Sequence, residues 1–268
     1  MKKILALLLA LSMALGLAAC SGQDGKESDN SGDSDLAYIQ EKGTLVVGIT
    51  EFEPMDYTDA DGNWIGFDAD MARAFAESLG VEAQFQVIAD WDSKVMELEG
   101  KTVDVVWNGM TLTEDVLTAM ECSNPYFSNG QVVIVPADKA GDYQTEESLA
   151  DLQFAVENGS AGQEELDRLG YSYTPVQDQA TALMEVAAGT SDAAVVDYLM
   201  AAAMTGEGTS YEDLAYTVQL NSEEYGVGFR KGSDLAAELN QFFQEQYASG
   251  EMQKIADKYN IADKLIKQ

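Results

Sequence analysis

The sequence predicts an α/β protein built as two lobes, and three observations predict it. Short β-branched runs alternate with amphipathic helical stretches, the pattern of parallel sheets covered by helices on both faces. There are too many such units for one small sheet, and no repeat recurs at a fixed period. The chain has 268 residues, of which 46% are apolar, enough for the cores of two lobes of ordinary size.

The elements follow in order. Residues 44–50 (TLVVGIT), bounded by Gly43, read as a buried strand. Residues 68–79 place Met71, Ala72, Phe75, Ala76 and Leu79 on one helical face, with Asp68 as N-cap and Gly80 as the stop. A strand over 83–87 precedes a helix over 91–98 that ends at Gly100. Residues 103–107 (VDVVW) form a strand whose end meets Asn108-Gly109-Met110-Thr111, and a short helix starts near Thr113. Downstream, 131–135 (QVVIV) and 154–156 are strands. The second leads through Glu157-Asn158-Gly159-Ser160-Ala161-Gly162 into a helix that reaches Leu169. An alanine-rich helix covers 181–188, a strand over 193–196 ends at Asp197, and a late strand covers 225–229. Helices over 235–247 and 252–259 close the chain.

Charge narrows the function. The chain holds 47 acids, 15 bases and no histidine, for a formal charge of −32. Such a surface excludes nucleic acid as the main partner, because phosphate binding needs lysine and arginine. Without histidine there are no imidazole metal sites and no His-dependent triads. No metal and no cofactor is implied. The strand ends at Thr50, Trp107, Val156 and Val196 all run into small or polar residues. Ligands of open α/β sheets sit at the carboxyl ends of strands, so these four segments are the candidate site.

The N-terminus reads as an export signal over residues 1–19. Lys2 and Lys3 start it, an apolar run over 4–17 follows, and Ala18-Ala19 lead to Cys20. Residues 20–35 hold no large apolar side chain and read as a charged, flexible tether. Cys122 reads as a small apolar residue and not as a nucleophile, because no histidine can activate it.

Two resemblances add to this reading. Leu17-Ala18-Ala19-Cys20 resembles the lipobox of bacterial lipoproteins. It implies cleavage before Cys20, acylation of its sulfur by chains such as palmitate, and an extracytoplasmic protein lipid-anchored to the outer face of the cell membrane. The rest, from residue 36 onward, resembles the family-3 extracellular solute-binding proteins, the amino-acid receptors of ABC importers. The matching pieces include Gly43-Thr44-Leu45-Val46-Val47-Gly48, Gly66-Phe67-Asp68-Ala69-Asp70 and Met110-Thr111-Leu112-Thr113. Ser123-Asn124-Pro125-Tyr126, Ser191 through Asp197, and Tyr225-Gly226-Val227-Gly228-Phe229 complete them.

The resemblance implies a periplasmic-binding-protein-like fold of type II with its ligand in the interlobe cleft. Lobe 1 would hold 36–129 plus 223–268, and lobe 2 would hold 130–222. It further implies a monomer that closes its lobes on a small amino acid and presents it to ABC permease membrane subunits. Phe52 and Trp91 match rings that sandwich the ligand side chain. Gly109 matches a carbonyl acceptor for the ligand ammonium, Thr111 an N–H and hydroxyl donor, and Asp197 an ammonium-binding carboxylate. Gly159 to Gly162, with Ser160 and Ala161, match a loop that offers N–H groups to a carboxylate. Glu51, Tyr57, Asn108, Met110 and Glu157 adjoin these positions and complete the expected ligand shell. The family's usual carboxylate-binding arginine falls at Val116, so this chain departs there. Lys94 is one substitute, although its place on a predicted helix reads more simply as solvated. No arginine and several acids (Glu51, Glu157 and nearby Asp56) point to a polar or basic amino acid, or to an amine without a carboxylate such as a polyamine. A sensor feeding a signalling partner shares the fold. Some relatives act as dehydratases, but the lipobox and tether suit a receptor and not an enzyme.

Overall fold

The computed structural model describes residues 34–268. The expected export signal, Cys20 and most of the tether lie outside the described residues. Asp35 does not belong to the tether. It opens the helix Asp35–Lys42, capped by the Ser34 hydroxyl on the Ala37 N–H. Its buried carboxylate takes the Arg230 guanidinium, with Nη2 at 2.9 Å from Oδ1.

Two large mixed sheets, with a small two-stranded sheet of Tyr57–Thr58 and Trp64–Ile65, run through the described residues. The first runs in the order Glu82–Val87, Thr44–Ile49, Val105–Thr111, Glu223–Phe229, Glu121–Cys122, with Phe127–Asn129 also pairing Glu223–Phe229. The second runs Tyr173–Val176, Phe154–Glu157, Ala193–Asp197, Gln131–Pro136, Leu214–Gln219. Parallel sheets are the sequence expectation, and in each large sheet one strand runs against all its neighbours. Glu223–Phe229 is antiparallel to Val105–Thr111, and Gln131–Pro136 is antiparallel to Ala193–Asp197. The reason is topological. A strand that leads into a helix points its carboxyl end at the cleft, whereas a strand that has just crossed between sheets starts at the cleft and runs away from it.

Besides the helices Asp35–Lys42 and Tyr198–Met204 and several strands of two or three residues, the sequence reading misses the two edge strands of the second sheet, which carry little apolar surface. Tyr173–Val176 carries Pro175, which an edge strand tolerates. Leu214–Gln219 buries only Leu214. The strand Val105–Thr111 is longer than expected, since Met110 and Thr111 continue pairing with Gly226 and Tyr225. The helix expected from 68 starts one residue earlier, at Phe67, with Gly66 before it. A side chain at position 66 would place its Cβ 2.1 Å from the Met55 carbonyl oxygen, so only glycine fits.

Asp68 is therefore not a cap. It turns inward, where Oδ2 accepts from the Gly109 N–H at 2.6 Å and from the Tyr126 hydroxyl at 2.8 Å. The first sheet is held by an aromatic cluster. Phe75 and Trp107 meet edge to face at 6.2 Å, and Trp107 meets Phe243 at 5.6 Å. Burial of such rings is worth about 1.5–3 kcal/mol each. This core fixes the strand that carries residues 108–111 to the cleft.

Candidate functional site

The carboxyl ends of both sheets enclose a cavity of about 310 Å³. One wall comes from the first sheet and its loops: Thr50, Phe52, Trp91, Lys94, residues 108–111 and Val116. The facing wall comes from the second: Gln131, Glu157, residues 159–161, Gln179 and Asp197. Of the expected ligand shell, Phe52, Trp91, Asn108, Gly109, Met110, Thr111, Glu157, Ser160, Ala161 and Asp197 all line this space.

Glu51 and Tyr57 do not. Glu51 turns away from the cavity, and its Oε1 accepts from the Thr58 N–H at 3.1 Å. Tyr57 lies by a separate cavity with Tyr198 and Tyr259. Asp56 is buried below the wall, with Oδ2 on the Asn108 amide at 2.9 Å. Burial, and then the charge of Asp68, push its carboxyl well above the usual range.

Local sequence explains how each wall is set. Asn108 is fully used by the protein. Its Oδ1 accepts from the Thr50 N–H at 2.9 Å and the Thr50 hydroxyl at 2.6 Å, and its Nδ2 donates to the Thr50 carbonyl and Asp56. It thereby ties two strand ends together. Gly109 has φ +54°, and a Cβ there would lie 2.6 Å from Phe52 Cε1. The Phe52 ring thus packs on the main chain because position 109 has no side chain. The Thr111 hydroxyl, expected to face a ligand, donates to Glu223 Oε1 at 2.9 Å. Ser160 caps the helix Ala161–Leu169, its Oγ accepting from the Gln163 N–H at 3.2 Å. The first N–H groups of that helix open on the cavity wall, a favourable place for an anion.

The two acids of the second wall differ. Asp197 Oδ1 accepts from Gln131 Nε2 at 3.0 Å, from the Tyr225 hydroxyl at 2.8 Å and from Asn129 Nδ2. Oδ2 accepts from Gln179 Nε2. Burial raises its pKa well above the usual range, and the charge of Glu223 adds to this. Glu157 is 3% exposed, and its Oε1 has no hydrogen-bond partner. Burial, reinforced by Asp178, pushes it up to about 8.

Lys94 corrects the sequence reading. It is not a solvated helix lysine but is 7% exposed and lines the cavity. Its Nζ donates to the Gly159 carbonyl at 3.0 Å and the Trp91 carbonyl at 3.3 Å. Burial lowers its pKa, while Glu157 and Asp92 oppose that shift. The helix expected over 91–98 is a 3-10 turn, Trp91–Ser93, running into Lys94–Glu99. That change of pitch turns position 94 inward. Val116, 6% exposed, lines the cavity where the resemblance implied an arginine. None of the three arginines compensates: Arg73 bonds the Trp64 carbonyl, Arg168 pairs Glu165, and Arg230 pairs Asp35.

Contacts also bridge the walls. Lys94 reaches Gly159 from the opposite sheet's side, and Asn158 Nδ2 donates to Asp90 Oδ1 at 3.1 Å. A Cβ at Gly159, where φ is +69°, would stand 2.6 Å from Asp92 Cα.

Two mixed sheets with a cavity of mixed polar and apolar lining at their carboxyl ends define a binding protein that holds its ligand between lobes. The chain belongs to the bacterial extracellular solute-binding proteins, family 3, which it matches over residues 45–262. It is 29% identical to the L-cystine-binding protein TcyJ of Escherichia coli K12, over 95% of this chain and 96% of TcyJ. It is also 29% identical to the arginine-binding extracellular protein ArtP of Bacillus subtilis, over 98% of this chain and all of ArtP. In fold it is similar to a mutant of ArgBP from T. maritima, with a TM-score of 0.79 and 32% identity over 84% of this chain and 99% of that one. Among the described residues, no helix is long and apolar enough to cross a membrane.

Proposed function

We propose that this protein is the receptor of an ABC importer and captures a basic amino acid by closing its lobes, without chemistry on the ligand. One observation carries the choice of ligand. Six acids line the cavity (Asp92, Asp115, Glu157, Glu164, Asp167 and Asp197) against one base, Lys94. The unpartnered Glu157 Oε1 is the acceptor such a ligand would fill. A cation there would remove the cost of leaving a buried polar atom without a partner. Relatives that bind arginine and cystine support an amino acid as the ligand class.

The lobes would pivot where the chain crosses between sheets, near 129–131 and 221–223. Phe127–Asn129 and Glu223–Phe229 pair there as two antiparallel strands, a connection that can bend while its hydrogen bonds persist. The protein would act as a monomer tethered through acylated Cys20. Labelled palmitate should enter the wild-type chain in cells and be lost in Cys20→Ser.

The test of function is a thermal-shift screen against the twenty amino acids, ornithine, citrulline and polyamines. A ligand at a hundred times its dissociation constant adds about 2.7 kcal/mol. That raises Tm by roughly 5–10 °C for a chain of this size. Lysine, arginine or ornithine should shift it. A shift only with glutamate or aspartate would overturn the basic ligand while leaving the receptor role.

A further inference from the structure

We propose that Lys94 is the counter-charge for the carboxylate of the captured amino acid. The assignment rests on the amino-acid reading above and deepens it, because it names a ligand that must bring an anion as well as a cation.

Lys94 is the one basic side chain among the residues lining the cavity. It is buried, yet both groups it bonds are neutral carbonyls, those of Trp91 and Gly159. Among the described residues it forms no ion pair, although every one of the cavity's other charged groups is an acid. A buried ammonium with no anion in contact is costly even when acids such as Glu157 and Asp92 act on it from a distance, and the cost is relieved when an anion docks. An ammonium has three donors, and the protein uses two of them here.

The neighbourhood of Nζ supplies a second, independent attraction. The Gly159 carbonyl that Lys94 touches lies just before the helix Ala161–Leu169. Ala161 and Gly162 open that helix, and first-turn N–H groups have no partner within a helix. A carboxylate placed beside Nζ would meet both the ammonium and the helix N-terminus. The Glu157 Oε1 atom, with no partner, is then left for the ligand's cationic end. Lys94 and Glu157 come from opposite walls and do not pair with each other. A molecule that satisfies both is an amino acid, and a basic one brings a second cation for the remaining acids of the cavity. A polyamine would satisfy Glu157 and leave Lys94 facing more positive charge.

The experiment titrates the purified protein with matched pairs that differ only by the carboxylate: L-arginine against agmatine, and L-lysine against cadaverine. The wild-type protein should prefer the amino acid by about a hundredfold or more, the scale of a buried charge pair. Lys94→Met should cut that preference at least tenfold, with the amine bound as well as before or better. Equal binding of amino acid and amine by the wild-type protein would overturn the assignment, whether or not the variant folds. Equal weakening of both ligands in Lys94→Met would also overturn it and reduce Lys94 to a latch on Gly159. Absence of binding by all four compounds would overturn the basic-ligand reading, and this assignment as stated with it, while the amino-acid screen above separately tests the receptor role.

Discussion

Asp197 and Glu157 stand at the carboxyl ends of neighbouring parallel strands, and the protein treats them in opposite ways. Asp197 is surrounded by donors from Asn129, Gln131, Gln179 and Tyr225. Glu157 keeps an oxygen with none. Both carboxyls are pushed up by burial, so burial alone does not separate them. The number of donors does. Asp197 is a fixed acceptor that also ties the crossing segments to the second sheet, whereas Glu157 keeps an open oxygen, the acceptor proposed above for the ligand's cation. On that proposal, structural and ligand-binding roles lie within one sheet edge.

The comparison breaks first if the two acids respond alike to removal. Asp197→Ala strands four buried donors and should cost about 3 kcal/mol or more of stability, measured by denaturant unfolding. Glu157→Gln should leave the midpoint unchanged or higher, because it removes a buried acid without stranding a donor. The same Glu157→Gln change should weaken binding of L-arginine or L-lysine by about a hundredfold in calorimetry, the worth of a desolvated charge-assisted bond.

Acidity sharpens the contrast. The Glu157 pKa lies near 8 in the folded protein, above the ordinary carboxyl value of 4.5. A raised carboxyl pKa means the folded state binds more protons than the unfolded state between these values. The stability this group contributes is therefore full below pH 4.5 and is lost as pH rises toward 8. Affinity for a cation should move the other way and climb from pH 6 to 9 as Glu157 ionises. Glu157→Gln should flatten most of that climb. A climb of unchanged steepness in the variant would assign it to Asp197 instead.

Smaller effects test the walls. Gly159→Ala puts a Cβ against Asp92 across the cleft, at a left-handed backbone position. It should weaken ligand binding about tenfold and lower unliganded stability by about 1 kcal/mol, the price of the strained backbone. Cys122→Ala should change the unfolding free energy by no more than about 1 kcal/mol. The native thiol, pushed by burial to about 11, should react slowly with thiol reagents at neutral pH.

Much of this site was legible because it lies at strand ends. The β-branched runs before Thr50, Asn108, Glu157 and Asp197 mark the four segments that converge, and each is followed by small or polar residues. What the sequence did not reveal depends on orientation. Lys94 has the composition of a surface helix residue, and only the 3-10 turn at Trp91–Ser93 aims it inward. Glu51 and Tyr57 sit beside cavity residues in sequence but follow a loop in which Phe52 alone turns to the cavity. Gln131 and Gln179 carry no motif, and their role appears only when two strands and a helix bring their amides to Asp197. The antiparallel direction of Gln131–Pro136 and Glu223–Phe229 escaped for a related reason, since strand direction depends on where a crossing begins and not on the residues within it.

The most direct test of the account is a calorimetric titration of the wild-type protein with L-arginine and with L-citrulline at pH 8.5. The two ligands have nearly the same shape, and only arginine carries a side-chain charge. A cavity in which Glu157 waits for a cation should bind arginine at least tenfold more tightly. Citrulline binding as tightly as arginine, or more tightly, would contradict the account and leave the acids of the cavity without a role in choosing the ligand.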